Sequence, residues 1–421
     1  MDCERLAKTL KWIHHCCARV NCQYTCVLNN PYLMETPMTR SMHKAKPQSF
    51  VLASLPWICL LACGFNVQAA ESYKLRQSPV GAFGGEIAAS ADKPGFFGTV
   101  SLTQLQIYKI ADAAGNNVAP APIAPIQLNP ALPYKVAFPT GSLAFNQDQT
   151  QLNVVGGYLT ESTYGQGHVA FAVNVPFIQQ KRSFVVTQPA GTLTPAATVP
   201  PLSPAIVGQL NAGAAQANAV VQAKILAAGA NQNLETSGMG DTELSTVWVR
   251  HADRLKVAAG VSLFVPTGSY DKNRGPNPGF GDFYTLRPGV AVTYNLNPKH
   301  TDASWDSGVT IAGRVSYGIN TRNKETVYKS GNFIYGEGGI VKVSGDWAYG
   351  LNVFTIQQIS DDTGSGATLG GNRYKTNGFG PFVSFKLPGK DAGINVQYSD
   401  NFGGRNAIAV KSLQARFVKA W

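Results

Sequence analysis

The amino-acid sequence predicts an all-β protein, a transmembrane antiparallel β-barrel of about 12 strands with long external loops and one inserted amphipathic helix. Charged residues make up only 14% of the 421 residues, which is low for a soluble protein. No run of 18 or more apolar residues follows residue 70, which excludes a helical membrane protein. The C-terminal half instead alternates apolar and polar residues, as expected for strands with one face in lipid.

Residues 1–41 are predicted to be an upstream extension that is not part of the mature protein. All seven cysteines precede residue 64, and four of them follow His14 and His15 closely. These residue types can bind zinc, but the cluster lacks the paired spacing of a zinc site. Because the mature chain has no cysteine, we expect it to contain no disulfide, and we expect neither a metal nor another cofactor.

Residues 42–69 are predicted to form a signal peptide. A basic start is followed by an apolar stretch over residues 50–65. A small-x-Ala site then predicts cleavage between Ala69 and Ala70. Lipoprotein processing at Cys63 is the alternative.

The mature chain, residues 70–421, is predicted to be one β-barrel in the outer membrane of a Gram-negative bacterium. Its 28 basic and 21 acidic residues give a net charge of +7. The charges are too dispersed for a nucleic-acid-binding face, and export removes the chain from genomic partners. Outer-membrane lipid is therefore an expected partner and nucleic acid is not.

Alternation with a period of two defines the expected strands. In Leu255–Pro266, Leu255 and Val257 belong to an apolar face, whereas Lys256 and Ser262 belong to the opposite face. Segments of about 10–12 residues match tilted membrane strands and exceed the usual length of soluble strands. The segments are 97–110, 149–160, 166–178, 241–251, 254–266, 282–296, 305–318, 331–344, 346–359, 374–388, 391–402 and 409–421.

The connections between these segments alternate in length, as in bacterial barrels with short periplasmic turns and long external loops. The expected external loops include Thr267–Gly281, Ile319–Ser330, Ser360–Arg373 and Phe402–Ala407. The medium-length connection Asn297–Ser304 is the exception, since a short turn is expected there.

The last predicted strand has the features of an assembly signal. Trp421 is the terminal residue, and Phe417 shares its face. An aromatic end to an amphipathic strand resembles the signal that the barrel assembly machinery recognises, so this machinery is an expected partner. Lys419 departs from the pattern, but a lysine near the interface can extend its ammonium into water.

One helix is predicted at residues 203–229 within a long loop. Ser203 is a suitable N-cap, Pro204 a suitable first residue, and Gly229 a plausible stop. Two positions are open for this Ala-rich helix: it folds into the barrel mouth as a plug, or it covers the outer rim.

Several short motifs, in this order, resemble the outer-membrane transporter family of the "meta-pathway of phenol degradation". The resemblance implies an outer-membrane barrel, often encoded with pathways that degrade aromatic compounds and presumed to import their substrates. The family has no established catalytic residues. The motifs are Gly238–Leu244, Pro266–Asp271, Leu286–Gly289, Asp361–Gly364, Gly371–Arg373, Gly378–Pro381 and Phe402–Asn406.

Four charged residues are candidate members of the lumen lining: Lys256, Arg287, Arg314 and Glu337. Arg287 and Arg314 fall on the inward side of their strands, where a basic lining would favour anionic or phenolic solutes. Alternatively, the two arginines pair with acidic lumen residues such as Glu337 or Glu243 and brace the barrel. The second alternative is preferred.

The expected function is a channel through which small, aromatic or hydrophobic molecules diffuse into the cell. A structural or adhesive barrel without transport is the main alternative. A hydrolase is disfavoured, because His168, His251 and His300 have no recognisable nucleophile beside them. We expect no enzymatic activity and a monomer, since a closed barrel satisfies its own backbone.

Overall fold

The computed structural model describes residues 73, 75–76, 93–129, 132–195, 202–297, 306–365, 367 and 372–421. The predicted extension, the signal peptide and its cleavage site at Ala69 and Ala70 lie outside these residues. His300 lies outside them too. Within them, no helix is both long and apolar enough to cross a membrane.

The described residues form 18 strands and one α-helix, which are numbered in chain order. They are β1 (Gly95–Ala111), β2 (Ile126–Gln127), β3 (Tyr134–Ala137), β4 (Ser142–Leu159), β5 (His168–Thr187), β6 (Thr192–Pro195), α1 (Pro204–Ala230), β7 (Glu235–Met239), β8 (Thr242–Ala252), β9 (Leu255–Val265), β10 (Thr285–Asn295), β11 (Val309–Asn320), β12 (Tyr328–Lys329), β13 (Phe333–Ser344), β14 (Trp347–Gln358), β15 (Thr363–Gly364), β16 (Lys375–Lys386), β17 (Ala392–Arg405) and β18 (Ala407–Ala420).

The long strands form one closed antiparallel barrel. Its order is β4-β1-β18-β17-β16-β14-β13-β11-β10-β9-β8-β5, and pairing of β4 with β5 closes the ring. The short β7 also pairs with β5, in line with β8, so the two form one interrupted strand. The barrel therefore has 12 strands, as predicted.

Lipid and lumen explain the side-chain pattern of these strands. Outward residues are apolar and exposed, such as Val353 at 59% and Val315 at 53%. Their inward neighbours are polar and buried, such as Asn352 at 1% and Ser316 at 7%. A barrel with this pattern satisfies its backbone hydrogen bonds internally and presents hydrocarbon to lipid.

The prediction was wrong at two external connections. Residues 402–407 do not form an irregular loop: β17 continues to Arg405 along β16, and β18 begins at Ala407 along β1. The pairing of β17 with β18 ends at Asp400 and Lys411. Asn406 and Gly403 have positive φ angles of 46° and 62°, so the chain bends at both residues. The hairpin of β4 and β5 is also longer than predicted, because its outer ends continue to pair with each other beyond the pairing with β1.

Helix α1 matches the predicted helix closely. The Ser203 hydroxyl accepts a hydrogen bond from the Ile206 N–H at 3.4 Å. The apolar stripe buries Leu210, Ala217 and Val221. The helix contacts β3, β5 and β6, and strands β2, β3 and β6 form a small sheet in the external loops. The helix therefore covers this external sheet.

Candidate functional site: the barrel lumen

The lumen holds two cavities stacked along the barrel. The outer cavity has a volume of about 240 Å³, and the inner cavity, toward the short-turn end, has a volume of about 580 Å³. Asn153, Asn174 and Glu243 line both of them. These three residues therefore mark the boundary between the two cavities, which we call the waist.

A part of the chain that precedes β1 lies inside the outer cavity. Tyr73, Leu75 and Arg76 line this cavity. Leu75 is 8% exposed and packs in an apolar cluster with Phe333, Tyr335, Phe354, Ile356, Tyr374 and Ala407. Tyr73, Leu75 and Arg76, which we call the lumen segment, therefore narrow the outer cavity.

Arg76 fixes the lumen segment to the barrel wall. Its Nη2 lies 2.8 Å from the Asp241 Oδ2 and donates to the Gly281 carbonyl at 3.0 Å. Its Nη1 donates to the Phe283 carbonyl, and its guanidinium lies 3.9 Å from the centre of the Phe283 ring. Asp241 in turn accepts from the Phe280 N–H at 2.9 Å and from the Gly268 N–H at 3.1 Å.

Two further ion pairs lie in the lumen, and they involve three of the four predicted lining residues. Arg287 Nη2 is 2.7 Å from Glu243 Oε1, and Arg314 Nη2 is 2.7 Å from Glu337 Oε2. The Tyr335 hydroxyl donates to Glu337 at 2.8 Å. These contacts are the internal pairs that the bracing alternative describes.

The fourth predicted residue, Lys256, lines the inner cavity on β9. Arg254, in the turn before β9, and Arg416, on β18, line it as well. Arg416 Nη2 donates to Gln414 Oε1 at 2.6 Å. Sequence reasoning missed Arg416, although its position on the face opposite Phe417 could have revealed it.

Sequence reasoning also missed Arg76 and Asp241 as site residues. Asp241 is the first residue of the predicted strand 241–251, and in the structure it lies with Gly240 in the break between β7 and β8. Arg76 precedes all predicted strands and meets Asp241 across 165 residues of sequence. No local periodicity could indicate such a contact.

The external loops are joined by a buried carboxylate, Asp362, which is 1% exposed. It accepts hydrogen bonds from the Tyr328 hydroxyl at 2.5 Å, the Gly331 N–H at 2.7 Å and the Gln358 amide at 2.6 Å. Asn372 donates to it at 3.4 Å. Charged acceptors with several donors make strong hydrogen bonds, so Asp362 holds the loops on either side of β13 and β14 together.

The described histidines lie near the short-turn end. His168 begins β5, and its Nδ1 lies 2.8 Å from the Thr160 carbonyl oxygen. His251, near the end of β8, lines the inner cavity. Among the residues that the structure describes, no group of three or more His, Cys, Asp or Glu side chains could hold a metal ion.

The predicted assembly-signal residues lie at the short-turn end. Trp421 N–H donates to the Phe96 carbonyl at 2.9 Å, next to the seam where β1 pairs with β18. The Lys419 ammonium lies 5.5 Å from the centre of the Trp421 ring. Phe417 faces outward and is 40% exposed.

A closed barrel of 12 antiparallel strands with an apolar exterior and a polar lumen is an outer-membrane β-barrel. Residues 142–417 match the family described as "Putative MetA-pathway of phenol degradation", and the chain belongs to this family. The resemblance predicted from the motifs is thus confirmed.

Three solved structures are similar to this chain. An outer membrane channel from Pseudomonas putida F1 is 12% identical, with a TM-score of 0.53 over 82% of this chain and 100% of that chain. The β domain of the Bordetella autotransporter BrkA is 9% identical, with a TM-score of 0.38 over 78% and 100%. A mutant of the monoaromatic hydrocarbon channel TodX is 11% identical, with a TM-score of 0.34 over 78% and 91%. The first structure supports the fold alone, and the other two, with scores below 0.5, support no conclusion. No curated protein matches the sequence significantly.

Proposed function

We propose that the protein is an outer-membrane channel through which small, aromatic or otherwise hydrophobic molecules diffuse toward the periplasm. The observation that carries this proposal is the pair of stacked cavities that meet at the waist formed by Asn153, Asn174 and Glu243. Together they extend from the external loops to the short-turn end. Membership of the phenol-degradation family favours aromatic solutes.

The lining suits molecules with an apolar body and one polar group. The outer cavity combines apolar residues such as Leu105, Ile178 and Phe264 with amides such as Gln151. At the waist, the Asn174 Oδ1 is buried and accepts no hydrogen bond from the described residues.

In this proposal Lys256, Arg287, Arg314 and Glu337 are lumen residues, and Arg287 and Arg314 have a bracing role through their ion pairs. Phe417 and Trp421 act as the signal for the barrel assembly machinery. The protein acts without a cofactor. It acts as a monomer, because a closed barrel satisfies its own backbone hydrogen bonds.

Solute uptake tests the channel. The chain is purified from outer membranes and reconstituted into lipid vesicles, and entry of radiolabelled benzyl alcohol is compared with entry into empty vesicles. We expect faster entry with the protein. Asn174→Leu, which narrows the waist with an apolar side chain, should slow it, whereas Asn146→Leu on the external hairpin should not. Equal rates with and without correctly folded protein would refute the proposal.

A further inference from the structure

The inner cavity carries an excess of positive charge. Among the residues that the structure describes, the charged side chains in its lining are two acidic residues, Glu243 and Asp253, and five basic ones. Glu337 pairs with Arg314 but does not line the cavity. When Glu337 is counted with the two lining acids, the basic residues are still in excess. The five basic residues are Arg254, Lys256, Arg287, Arg314 and Arg416.

The outer cavity differs in charge. Its charged lining among the described residues consists of Arg76 and Asp241, which pair with each other, and Glu243 at the waist, which pairs with Arg287. The charge of the lining therefore changes from about neutral to positive at the waist. Low-dielectric walls strengthen the potential of such a lining in a narrow lumen. An anion that passes Glu243 is therefore attracted into the inner cavity, and a cation is repelled.

Apolar side chains form a patch of the inner-cavity wall on four strands that are adjacent in the barrel, β8, β5, β4 and β1. Polar residues such as Thr99 and Ser245 lie among them, and a few further apolar residues, such as Ala258 and Val418, line the cavity from other strands. We call this patch the apolar wall, and its residues are Phe97, Val155, Leu159, Ala170, Ala172, Val247 and Val249.

Basic residues lie on both sides of this apolar wall. Arg416 is on β18, which pairs with β1, and Lys256 is on β9, which pairs with β8. Arg287 and Arg314 follow on β10 and β11. A molecule that packs its apolar body against the wall can therefore place a negative group against a basic residue at either edge.

We propose that the inner cavity is a binding site for amphipathic organic monoanions, such as aromatic carboxylates and phenolates. The apolar wall binds the ring by removing its surface from water, and the flanking cations bind the carboxylate or phenolate oxygen. This inference rests on the proposed channel function and adds a preference for those solutes that carry a negative charge. The volume of about 580 Å³ exceeds that of a single benzoate ring system.

The test measures binding, which does not depend on transport. Equilibrium dialysis against empty detergent micelles compares the retention of benzoate, benzylammonium and benzyl alcohol by the purified full chain. We expect benzoate to bind about tenfold more tightly than benzylammonium, because the basic lining attracts the carboxylate and repels the ammonium group. Raising the salt concentration should weaken benzoate binding, since salt screens the basic groups.

The variant K256Q/R416Q removes one cation from each side of the apolar wall and leaves the Arg287–Glu243 and Arg314–Glu337 pairs intact. We expect its benzoate affinity to fall about tenfold and its benzyl alcohol affinity to stay the same. The matched control is Lys375→Gln, which removes an exposed charge at the external start of β16. Should the double variant fail to fold, the salt dependence of the native chain decides.

The outcomes separate this inference from the channel proposal. Equal binding of benzoate and benzylammonium, or benzoate binding insensitive to salt and to K256Q/R416Q, would overturn the anion site. If benzyl alcohol still enters vesicles faster with the protein than without it, the channel proposal stands without the anion site. If no solute enters but benzoate binding is lost in the double variant, the site stands and the channel proposal fails.

Discussion

Arg76 and Asp241 form an ion pair in which the side chains are only 1% and 3% exposed, with 2.8 Å between Nη2 and Oδ2. Arg76 belongs to the lumen segment and Asp241 to the barrel wall between β7 and β8. The pair therefore joins the interior segment to the strand that lies at the edge of the waist.

Replacing Arg76 by alanine should release the lumen segment. The change leaves Asp241 buried without its cation, and breaking a buried pair costs about 3–5 kcal/mol. We expect larger single-channel conductance and faster benzyl alcohol entry. The control is Lys93→Ala, which breaks an exposed pair with Asp391, at 74% and 53% exposure, and should change neither. Unchanged conductance in Arg76→Ala would show that the segment does not limit flow.

Docking of the lumen segment should weaken at alkaline pH. Burial and, second, the negative charge of Asp112 raise the pKa of Tyr73 to about 12. A tyrosine in an unfolded chain has a pKa of about 10. The neutral phenol is thus favoured in the docked state, so its contribution to stability is complete below pH of about 10 and is lost as the pH rises through about 12.

The pKa of Tyr73 is measured by the ultraviolet absorbance of tyrosinate. The titration of Tyr73→Phe is subtracted from that of the native chain. The difference spectrum should titrate near pH 12. A midpoint near pH 10 would mean that Tyr73 is not buried in the folded protein.

Asp362→Asn should loosen the external loops. An asparagine presents an NH₂ group to some of the donors that now surround the carboxylate, and leaving buried donors unsatisfied costs about 1–3 kcal/mol. We expect faster cleavage of residues 321–332 by protease in intact outer membranes. The neighbouring Asp361→Asn is the control, because Asp361 is 45% exposed and pairs with Arg373 at the surface. Equal cleavage in both variants would contradict the role of Asp362.

The outward face of β14 should tolerate no charge at its middle. Val353→Arg places a guanidinium in hydrocarbon, and we expect the free energy of unfolding in lipid vesicles to fall by about 2–4 kcal/mol. Thr293→Arg adds the same group to the inner cavity and should cost less. Urea unfolding compares the two variants. An equal loss of stability in both would contradict the prediction.

Trp421→Ala should reduce assembly into the outer membrane. The residue lies beside the closing seam and ends the strand that the assembly machinery is proposed to recognise. We expect a smaller fraction of heat-modifiable, folded barrel in isolated membranes. Phe402→Ala, an exposed aromatic residue at the other end of the barrel, serves as the matched change. Equal folded fractions in the two variants would argue against a signal at Trp421.

Much of the fold could be predicted from the sequence because lipid imposes a period of two on every strand that it contacts. The same parity placed Arg287 and Arg314 on the inward face, where the structure has them paired. It did not decide the facing of the predicted strand 331–344, because Glu337 and Lys342 fall on opposite parities. Beyond the membrane that constraint is absent, and there the prediction was wrong: the outer ends of β4 and β5 were assigned to loops. The extended ends of β17 and β18 around Asn406 were missed because residues 402–407 lack an alternating pattern of apolar and polar residues.

The interior contacts of the lumen segment could not be predicted. Leu75 and Arg76 meet residues more than 150 positions away, and neither lies in a periodic segment. The inner cavity was foreseen only through Lys256, Arg287 and Arg314. The placement of basic residues on both sides of the apolar wall depends on which strands are neighbours in the closed barrel. The contact between β1 and β18 joins strands that are far apart in the sequence, so the sequence alone does not show it.

The seam between β1 and β18 imposes an order of events during biogenesis. It joins residues more than 300 positions apart, such as Thr103 and Gln414, so the ring cannot close before β18 has been synthesised. The lumen segment lies within that ring. Either the segment is enclosed as the seam forms, or it enters afterwards through an open end of the barrel. The two routes differ in whether Arg76 becomes inaccessible to solvent together with seam formation or after it.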